Sequence, residues 1–288
     1  MSIKSKGILA VIISATIFGS MPLMAKIVYE SGGNAISLTF YRFSLILPFL
    51  YLLIKRNDKE TLKITKEEFK KIVFVGTLGY GATALLLYLS YNYIPSGMAT
   101  TIHFIYPVFV ILGCILFFKE KPSIIKIIAV ILCLLGVLMF YDGNGNINFA
   151  GIFLAFASSI TFAFYTIYLD KSGLKQMNTM KLTFYLCLIA SIMMLIFSII
   201  TRTFTINMKP LGWLMALFLS LSVGLGVNFF QIGIKIVGPQ NTSILSTFEP
   251  ITSVIIGILI LNESFGLKTI FGIGLILLAV IMISIFDK

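Results

Sequence analysis

Charge is what this chain is short of: Asp, Glu, Lys and Arg make up 11% of its 288 residues, against about a quarter in an average soluble domain. That shortage excludes an ordinary soluble globule, whose surface needs charge to stay hydrated. Acidic side chains are the scarcer sign, 11 against 22 Lys and Arg, and too few lie in apolar stretches to assemble a two-metal centre. Cysteine is nearly absent. Cys114, Cys133 and Cys187 lie inside apolar runs without paired ligand spacing, which excludes a disulfide framework and a zinc site and leaves packing roles. No H-E-x-x-H and no G-x-x-x-x-G-K-[ST] occurs, so neither zinc hydrolysis nor an ATP-driven motor is expected within the chain. With no convergent catalytic set, the sequence does not read as an enzyme, and it implies no cofactor and no metal.

What is there is hydrocarbon. The composition is 58% hydrophobic with a mean hydropathy of +1.03. Apolar runs long enough to cross a bilayer core of about 30 Å recur throughout. Ten are predicted: 7–29, 35–54, 72–92, 98–118, 123–141, 149–170, 179–201, 211–235, 240–261 and 267–286. None alternates in polarity as a barrel strand would, and helices are the other way to satisfy every backbone group in lipid. The first run is too long for a signal peptide, lacks a small-residue cleavage pattern and leads directly into further runs. The expected fold is an all-α integral membrane bundle of ten transmembrane helices.

A formal net charge of +11 could suggest nucleic acid, so placement decides. With both termini inside, the cytoplasmic segments collect Lys4, Lys6, seven basic residues from Lys55 to Lys71, Lys119, Lys121, Lys126, Lys171, Lys175, Lys181, Lys235 and Lys288. The outer side keeps Lys26, Arg202, Lys209 and Lys268. That asymmetry orients membrane proteins. The basic excess is topological, no nucleic-acid partner is implied, and a cell (plasma) membrane location with cytoplasmic termini follows as the expectation.

The stretch NAISLTFY from Asn34 recurs as NTMKLTFY from Asn178, 144 residues later in a chain of twice that length. The same shift aligns Phe18 with Phe162 and Pro95 with Pro239; after one deletion, a shift of 143 aligns Pro107 with Pro250 and Glu120 with Glu263. Landmarks kept in one order indicate duplication. The predicted units are 1–143 and 149–288, joined by an outer linker at 144–148. Each holds five helices, and an odd number turns the second copy over, giving inverted repeats. Such repeats build a midplane site that opens alternately to either side.

Five plus five helices, the stretches YRFSLILPFL with Arg42, YPVFVILGCILFFKE from Tyr106 to Glu120, and EPITSVIIGILILNE from Glu249 to Glu263 resemble the drug/metabolite transporter superfamily, EamA branch. The resemblance covers essentially the whole chain. It implies a secondary transporter of small organic metabolites, often amino acids, exporting or importing without ATP hydrolysis. The chain departs from the family pattern in carrying Asn-Glu at 262–263 where Gly-Glu is frequent, and in placing Leu186 opposite Arg42 in the repeat.

Polar residues within apolar runs are costly unless they face protein or water, so they are candidates for a transport cavity. Thr242, Ser246, Glu249 and Ser253 follow i, i+4, i+7, i+11 spacing, one face of a continuous ninth helix. Glu249, some nine residues from either end, lies near the midplane. It is the leading substrate-binding candidate and could exchange a proton for a cationic substrate. The 143-residue shift places His103 opposite Ser246 and Tyr106 opposite Glu249. His103, the only histidine, reads either as a satisfied structural group or as a cavity group. Gly224, Asn228, Gln231 and Lys235 share a face of the eighth helix, where amides bind polar groups or cement neighbours. Tyr88 and Tyr165 are weaker candidates among twelve tyrosines. Arg42, about 10 Å inside its helix, either snorkels to the interface or needs an acidic or carbonyl partner that the sequence does not identify. Hydroxyl groups on the ninth helix serve helix packing equally well.

Pro22, Pro48, Pro107 and Pro250 are expected to kink their helices. Thr65 followed by Glu68 is a capping box that predicts a cytoplasmic helix start. Lys26 and Asp170 read as interfacial. Membrane lipid and a small-molecule substrate are the implied partners, with a proton as a candidate coupled ion. A multidrug or organic-cation exporter, an uptake permease and a channel are the competing functions; a channel would normally need a repeated pore motif or oligomeric filter symmetry. The composition leaves oligomeric state undetermined.

Overall fold

The structure, a computed structural model, describes residues 2–56, 61–94, 96–121, 123–139, 148–261 and 266–286. Pro95, Glu263 and linker residues 144–147 lie outside them. The described residues form helices throughout: α1 (Ile3–Gly19), α2 (Met21–Glu30), α3 (Ala35–Ser44), α4 (Leu47–Arg56), α5 (Lys66–Val75), α6 (Ala82–Ser90) and α7 (Ser96–His103). There follow α8 (Tyr106–Phe118), α9 (Ile124–Leu138), α10 (Phe149–Lys171), α11 (Thr179–Ile200), α12 (Pro210–Leu245), α13 (Phe248–Leu261) and α14 (Leu267–Phe286). A π-helical stretch, Gly76–Gly81, joins α5 to α6. Among the described residues, six stretches are long and apolar enough to cross a membrane: Ile3–Glu30, Ala35–Arg56, Lys66–Ser90, Phe149–Lys171, Thr179–Ile200 and Pro210–Leu245. Shorter apolar helices, among them Tyr106–Phe118 and Ile124–Leu138, accompany them. The chain is an all-α, multi-pass integral membrane protein.

The prolines explain why several runs are split. Kinks within unbroken helices are expected from the sequence; instead the helix stops and restarts around each proline. Pro22 follows the break at Ser20, Pro48 the break at Leu45–Ile46, Pro107 the break at Phe104–Ile105, and Pro250 the break at Ser246–Thr247. Each proline falls in the first turn of the new helix, where an absent N–H removes no intrahelical bond and the fixed φ is already helical. Another break lies inside α12, where Gly238 adopts φ 80°, ψ 168° immediately before Pro239. Only glycine takes that conformation freely. The expected boundary between the eighth and ninth spans is therefore a corner at one glycine.

The two LTFY stretches open helices in the same way. Asn34 caps α3 by accepting from Ser37 N at 2.8 Å, and Asn178 caps α11 by accepting from Met180 N at 2.9 Å. Thr39 Oγ1 donates back to Ala35 O at 2.7 Å, and Thr183 Oγ1 to Thr179 O at 2.8 Å. Tyr41 OH donates to Thr205 O, in the segment leading into α12; Tyr185 OH donates to Leu62 O, in the segment leading into α5. The capping box forms as expected: Glu68 N donates to Thr65 Oγ1 at 3.1 Å, and Thr65 N donates to Glu68 Oε2 at 2.7 Å.

Helix packing follows small residues. α1 lies along α12, α6 along α10, α3 against α11, and α9 against α14. Among the described residues two large hydrophobic clusters and a small one around Ile94, Ala99 and Ala155 fill the interior, and Phe162 of α10 packs against both large ones. All three cysteines are buried and reduced; Cys133 Sγ lies 3.0 Å from Thr247 Oγ1.

Candidate functional site

A cavity of about 670 Å³ runs from the bundle centre, at Tyr106, Phe162 and Phe230, toward the end where α2, α6 and α9 finish. Its volume is that of a small-molecule site. The helix breaks border it: Gly19 and Pro22, His103 and Tyr106, and Ser246, Glu249 and Pro250 all stand on its wall. Irregular backbone at membrane depth is tolerated where it lines such a cavity. α1 reaches α13 there because residue 19 is glycine; a Cβ on it would lie 2.6 Å from Glu249 O and 2.6 Å from Thr252 Cβ. Ser253 Oγ donates to Gly19 O at 2.8 Å and fastens the same junction.

Seven of the residues expected from the sequence meet on this wall: Glu249, His103, Tyr106, Ser246, Ser253, Tyr88 and Arg42. Glu249 is the one carboxylate there among the described residues, and it forms no ion pair with Arg42. Tyr106 is 1% exposed. Its hydroxyl donates to Ser243 O at 3.2 Å and its ring meets Phe162 edge-on at 4.7 Å. His103 Nδ1 lies 2.9 Å from Ser158 Oγ. That serine spends its one proton on Ala155 O at 2.6 Å, so Nδ1–H must be the donor and Nε2 the ring's acceptor. His103 is thus both a satisfied structural group and a wall residue. Ser246 Oγ donates back to Thr242 O at 2.8 Å.

Arg42 faces the cavity rather than snorkelling away from it. Its Cζ lies 5.1 Å from the Phe43 ring centroid and 5.2 Å from that of Tyr88. Weakly hydrated guanidinium accepts such aromatic beds. Lys26, exposed, stands at the rim.

Four expected residues stand off the wall. Thr242 is fully buried and packs on Gly233. The one-face argument that included it assumed a continuous helix, and the break at Ser246–Thr247 interrupts that phase. Asn228 Nδ2 donates to Thr179 Oγ1 at 3.0 Å, tying α12 to the start of α11. Gln231, 3% exposed, sits against the Tyr165 hydroxyl without a well-formed hydrogen bond on either side. Tyr165 is 1% exposed, its ring 5.4 Å from Tyr80. Asp170, expected at an interface, is buried and paired with Lys175 at 2.6 Å and Lys171 at 3.3 Å.

The sequence reading misses Tyr29, Tyr80 and Tyr91, all on the wall near Arg42. Tyr80 had a signal: it lies in GTLGYG, the glycine-rich run that becomes the π-helical stretch, a geometry that often marks functional sites. At the bundle's other end, where α8 and α10 finish, Glu120 accepts from Lys171 and, at 2.7 Å, from Gln240 Nε2. These polar contacts join α8, α10 and α12 opposite the cavity mouth.

Comparison with known proteins agrees with this architecture. A transporter of Synechocystis sp., uncharacterized, is 24% identical over 98% of this chain and 94% of its own length. The uncharacterized inner membrane transporter YicL of Salmonella typhimurium is 28% identical over 97% and 95%. A solved crystal structure of a protein at 13% identity shares the fold, with a TM-score of 0.85 over 97% of this chain and 98% of its own. The model of the EamA-like transporter family matches twice, at residues 5–141 and 149–285. Those two matches span most of the sequence, and the chain therefore belongs to the EamA-like transporter family, a membrane transporter rather than an enzyme.

Proposed function

We propose that this transporter is a secondary carrier exporting a small organic metabolite, an amino acid foremost, by alternating access through the cavity between its broken helices. The reading takes the chain as ten spans in two inverted five-helix repeats, 1–143 and 149–288, joined by a linker at 144–148. Both termini are cytoplasmic and the membrane is the cell membrane. Several observations support the inversion. Asn34 Nδ2 donates to Thr203 O at 2.7 Å, just past the end of α11. The start of α3 therefore meets the finish of α11, and the two LTFY caps lie a helix length apart, about 33 Å at 1.5 Å per residue. Exchanging the halves also carries the α1–α12 pairing onto α10–α6, and the α1–α13 pairing onto α10–α8.

The observation that carries the substrate site is the charged wall: Glu249 and Arg42 face one cavity in a membrane interior where unpaired charge is otherwise expensive. Glu249, His103, Tyr106, Ser246, Tyr88 and Arg42 would bind substrate. Asn228, Gln231, Thr242 and Tyr165 would support the helices behind them. Glu249 is the proposed proton-coupling group; the other titratable groups on its wall include Arg42, His103, Tyr91, Tyr106 and Lys26. An organic-cation exporter is the second reading, favoured by the same carboxylate among aromatic rings.

Counterflow of labelled amino acids into preloaded proteoliposomes tests the carrier. Saturable exchange that outruns net flux is expected, and a channel would show none. Glu249→Gln is expected to slow transport and flatten its dependence on a pH difference. Unchanged rate and pH response would reduce Glu249 to a structural group.

A further inference from the structure

Among the described residues, three hydrogen-bond donors beside the cavity lack a well-formed acceptor: Arg42 Nε, Tyr29 OH and Tyr80 OH. Tyr80 OH lies against the Cys187 thiol, a weak acceptor. The Tyr29 and Tyr80 hydroxyls lie within electrostatic range of the Arg42 guanidinium. The contact that Arg42 does make is Nη2 to Met21 Sδ at 4.0 Å, a weak acceptor. Among the described residues no carboxylate forms an ion pair with it; Glu249 shares the cavity and lies within electrostatic range without contact. The residue as a whole is only half-buried and stands on the cavity wall, while Nε itself is enclosed. Arg can only donate, and a buried guanidinium left unpaired is destabilising. An acceptor that carries negative charge would complete its hydrogen bonding.

We propose that Arg42, Tyr29 and Tyr80 form an oxyanion subsite that holds the carboxylate of the transported molecule; the inference rests on reading this cavity as the carrier's substrate site. The Phe43 and Tyr88 rings lie 5.1 Å and 5.2 Å from the guanidinium carbon, and a guanidinium resting on aromatic faces can still take a carboxylate at its edge through two parallel bonds. Arg42 supplies one positive charge at depth, with Lys26 standing out at the rim. One charge balances a monocarboxylate better than a dianionic phosphate. A zwitterion would in addition turn its ammonium toward Glu249.

The test measures equilibrium binding to the full chain in phosphatidylcholine nanodiscs, using four probes of similar shape: phenylalanine, phenylpropionate, phenylalaninamide and phenethylamine. The two carboxylates are expected to bind, and the amide and amine about tenfold more weakly or worse. Arg42→Gln is expected to cost the carboxylates about tenfold or more, Arg42→Lys an intermediate amount, and Tyr29→Phe or Tyr80→Phe a few-fold each. Should Arg42→Gln misfold, the two conservative tyrosine variants carry the same test. Amine binding as tight as phenylalanine, an Arg42→Gln protein that binds carboxylates unchanged, or no carboxylate binding at all overturns the subsite. Phosphatidylglycerol that competes with phenylpropionate would assign the oxyanion to a lipid headgroup and overturn the substrate assignment. Carboxylate binding without counterflow would leave the subsite standing and sink the carrier reading; counterflow indifferent to Arg42 would do the reverse.

Discussion

The Gly19 junction gives a prediction whose size can be worked from coordinates. In Gly19→Ala the new methyl would lie 2.6 Å from Glu249 O and from Thr252 Cβ. Carbon atoms pack at about 3.5–4.0 Å, so α1 and α13 must separate by about 1 Å. Overpacking of that kind costs about 1–3 kcal/mol. The Ser253 Oγ to Gly19 O bond, 2.8 Å in the native protein, would stretch beyond bonding range and add about 0.5–1.5 kcal/mol. The expected loss is therefore about 2–4 kcal/mol. Gly274→Ala is the control: nothing lies within 4 Å of its Cβ, and in a helix the change is neutral or favourable by up to about 1 kcal/mol. Thermal unfolding of the two purified variants in detergent should separate them by several degrees. Because α13 carries Glu249, Gly19→Ala should also slow counterflow while Gly274→Ala leaves it unchanged. Equal stability for the two variants would refute the idea that this glycine is required for the approach of α1 to the cavity wall.

Tyr106→Phe removes the bond to Ser243 O and, by leaving a buried carbonyl unsatisfied, is expected to cost about 1–3 kcal/mol in the same unfolding assay. Thr65→Ala removes the cap of α5; a loss of about 1 kcal/mol should appear as faster amide exchange confined to the first turns of that helix. Glu120→Gln weakens the contacts joining α8 to α10 and α12. The pair is 33% and 28% exposed, so stability should change by less than about 1 kcal/mol. Alkylation of a cysteine placed at Ser246 should nonetheless become easier from the face opposite the cavity mouth, and an unchanged alkylation rate would mean these contacts do not hold that end closed.

Much of the fold is legible in the sequence because its determinants are local. Apolar runs longer than 18 residues announce helices in lipid, Asn34 and Asn178 announce caps by their side-chain chemistry, and Thr65 with Glu68 announces another. Prolines announce disruption, but the form it takes depends on neighbours. Whether a helix bends at Pro107 or stops at Phe104 turns on packing against α10, which no local pattern contains. The same limit governs the site. Glu249 and His103 stand out as isolated polar residues in apolar surroundings, and both reach the wall. Thr242 was grouped with them on a helical phase that the break at Ser246–Thr247 cancels. Tyr29 is hidden because tyrosine is common here, and only three-dimensional proximity to Arg42 distinguishes it among twelve tyrosines; Tyr80 differs in sitting within the glycine-rich GTLGYG.

The repeat and the cavity chemistry point to different symmetries, and the difference bears on where substrate sits. Under the inverted-repeat reading, Glu249 corresponds to Tyr106 and Ser246 to His103, and all four share one wall, as expected of elements facing each other across a pseudo-two-fold axis. Arg42 corresponds to Leu186, which is fully buried and off the wall. Backbone geometry that obeys the two-fold lets each half exchange roles in opening and closing. A charge present in only one half cannot follow that exchange, so it stays with α3 through the cycle. A substrate anchored to Arg42 would then move with the first repeat while the second swings across it. Installing the guanidinium in the other half, with Arg42→Leu and Leu186→Arg together, should strain packing where residue 186 lies against Gly76 but relocate carboxylate binding away from Tyr29. A double variant that binds phenylpropionate as the native protein does, still sensitive to Tyr29→Phe, would show that the off-centre charge has no part in placing the ligand.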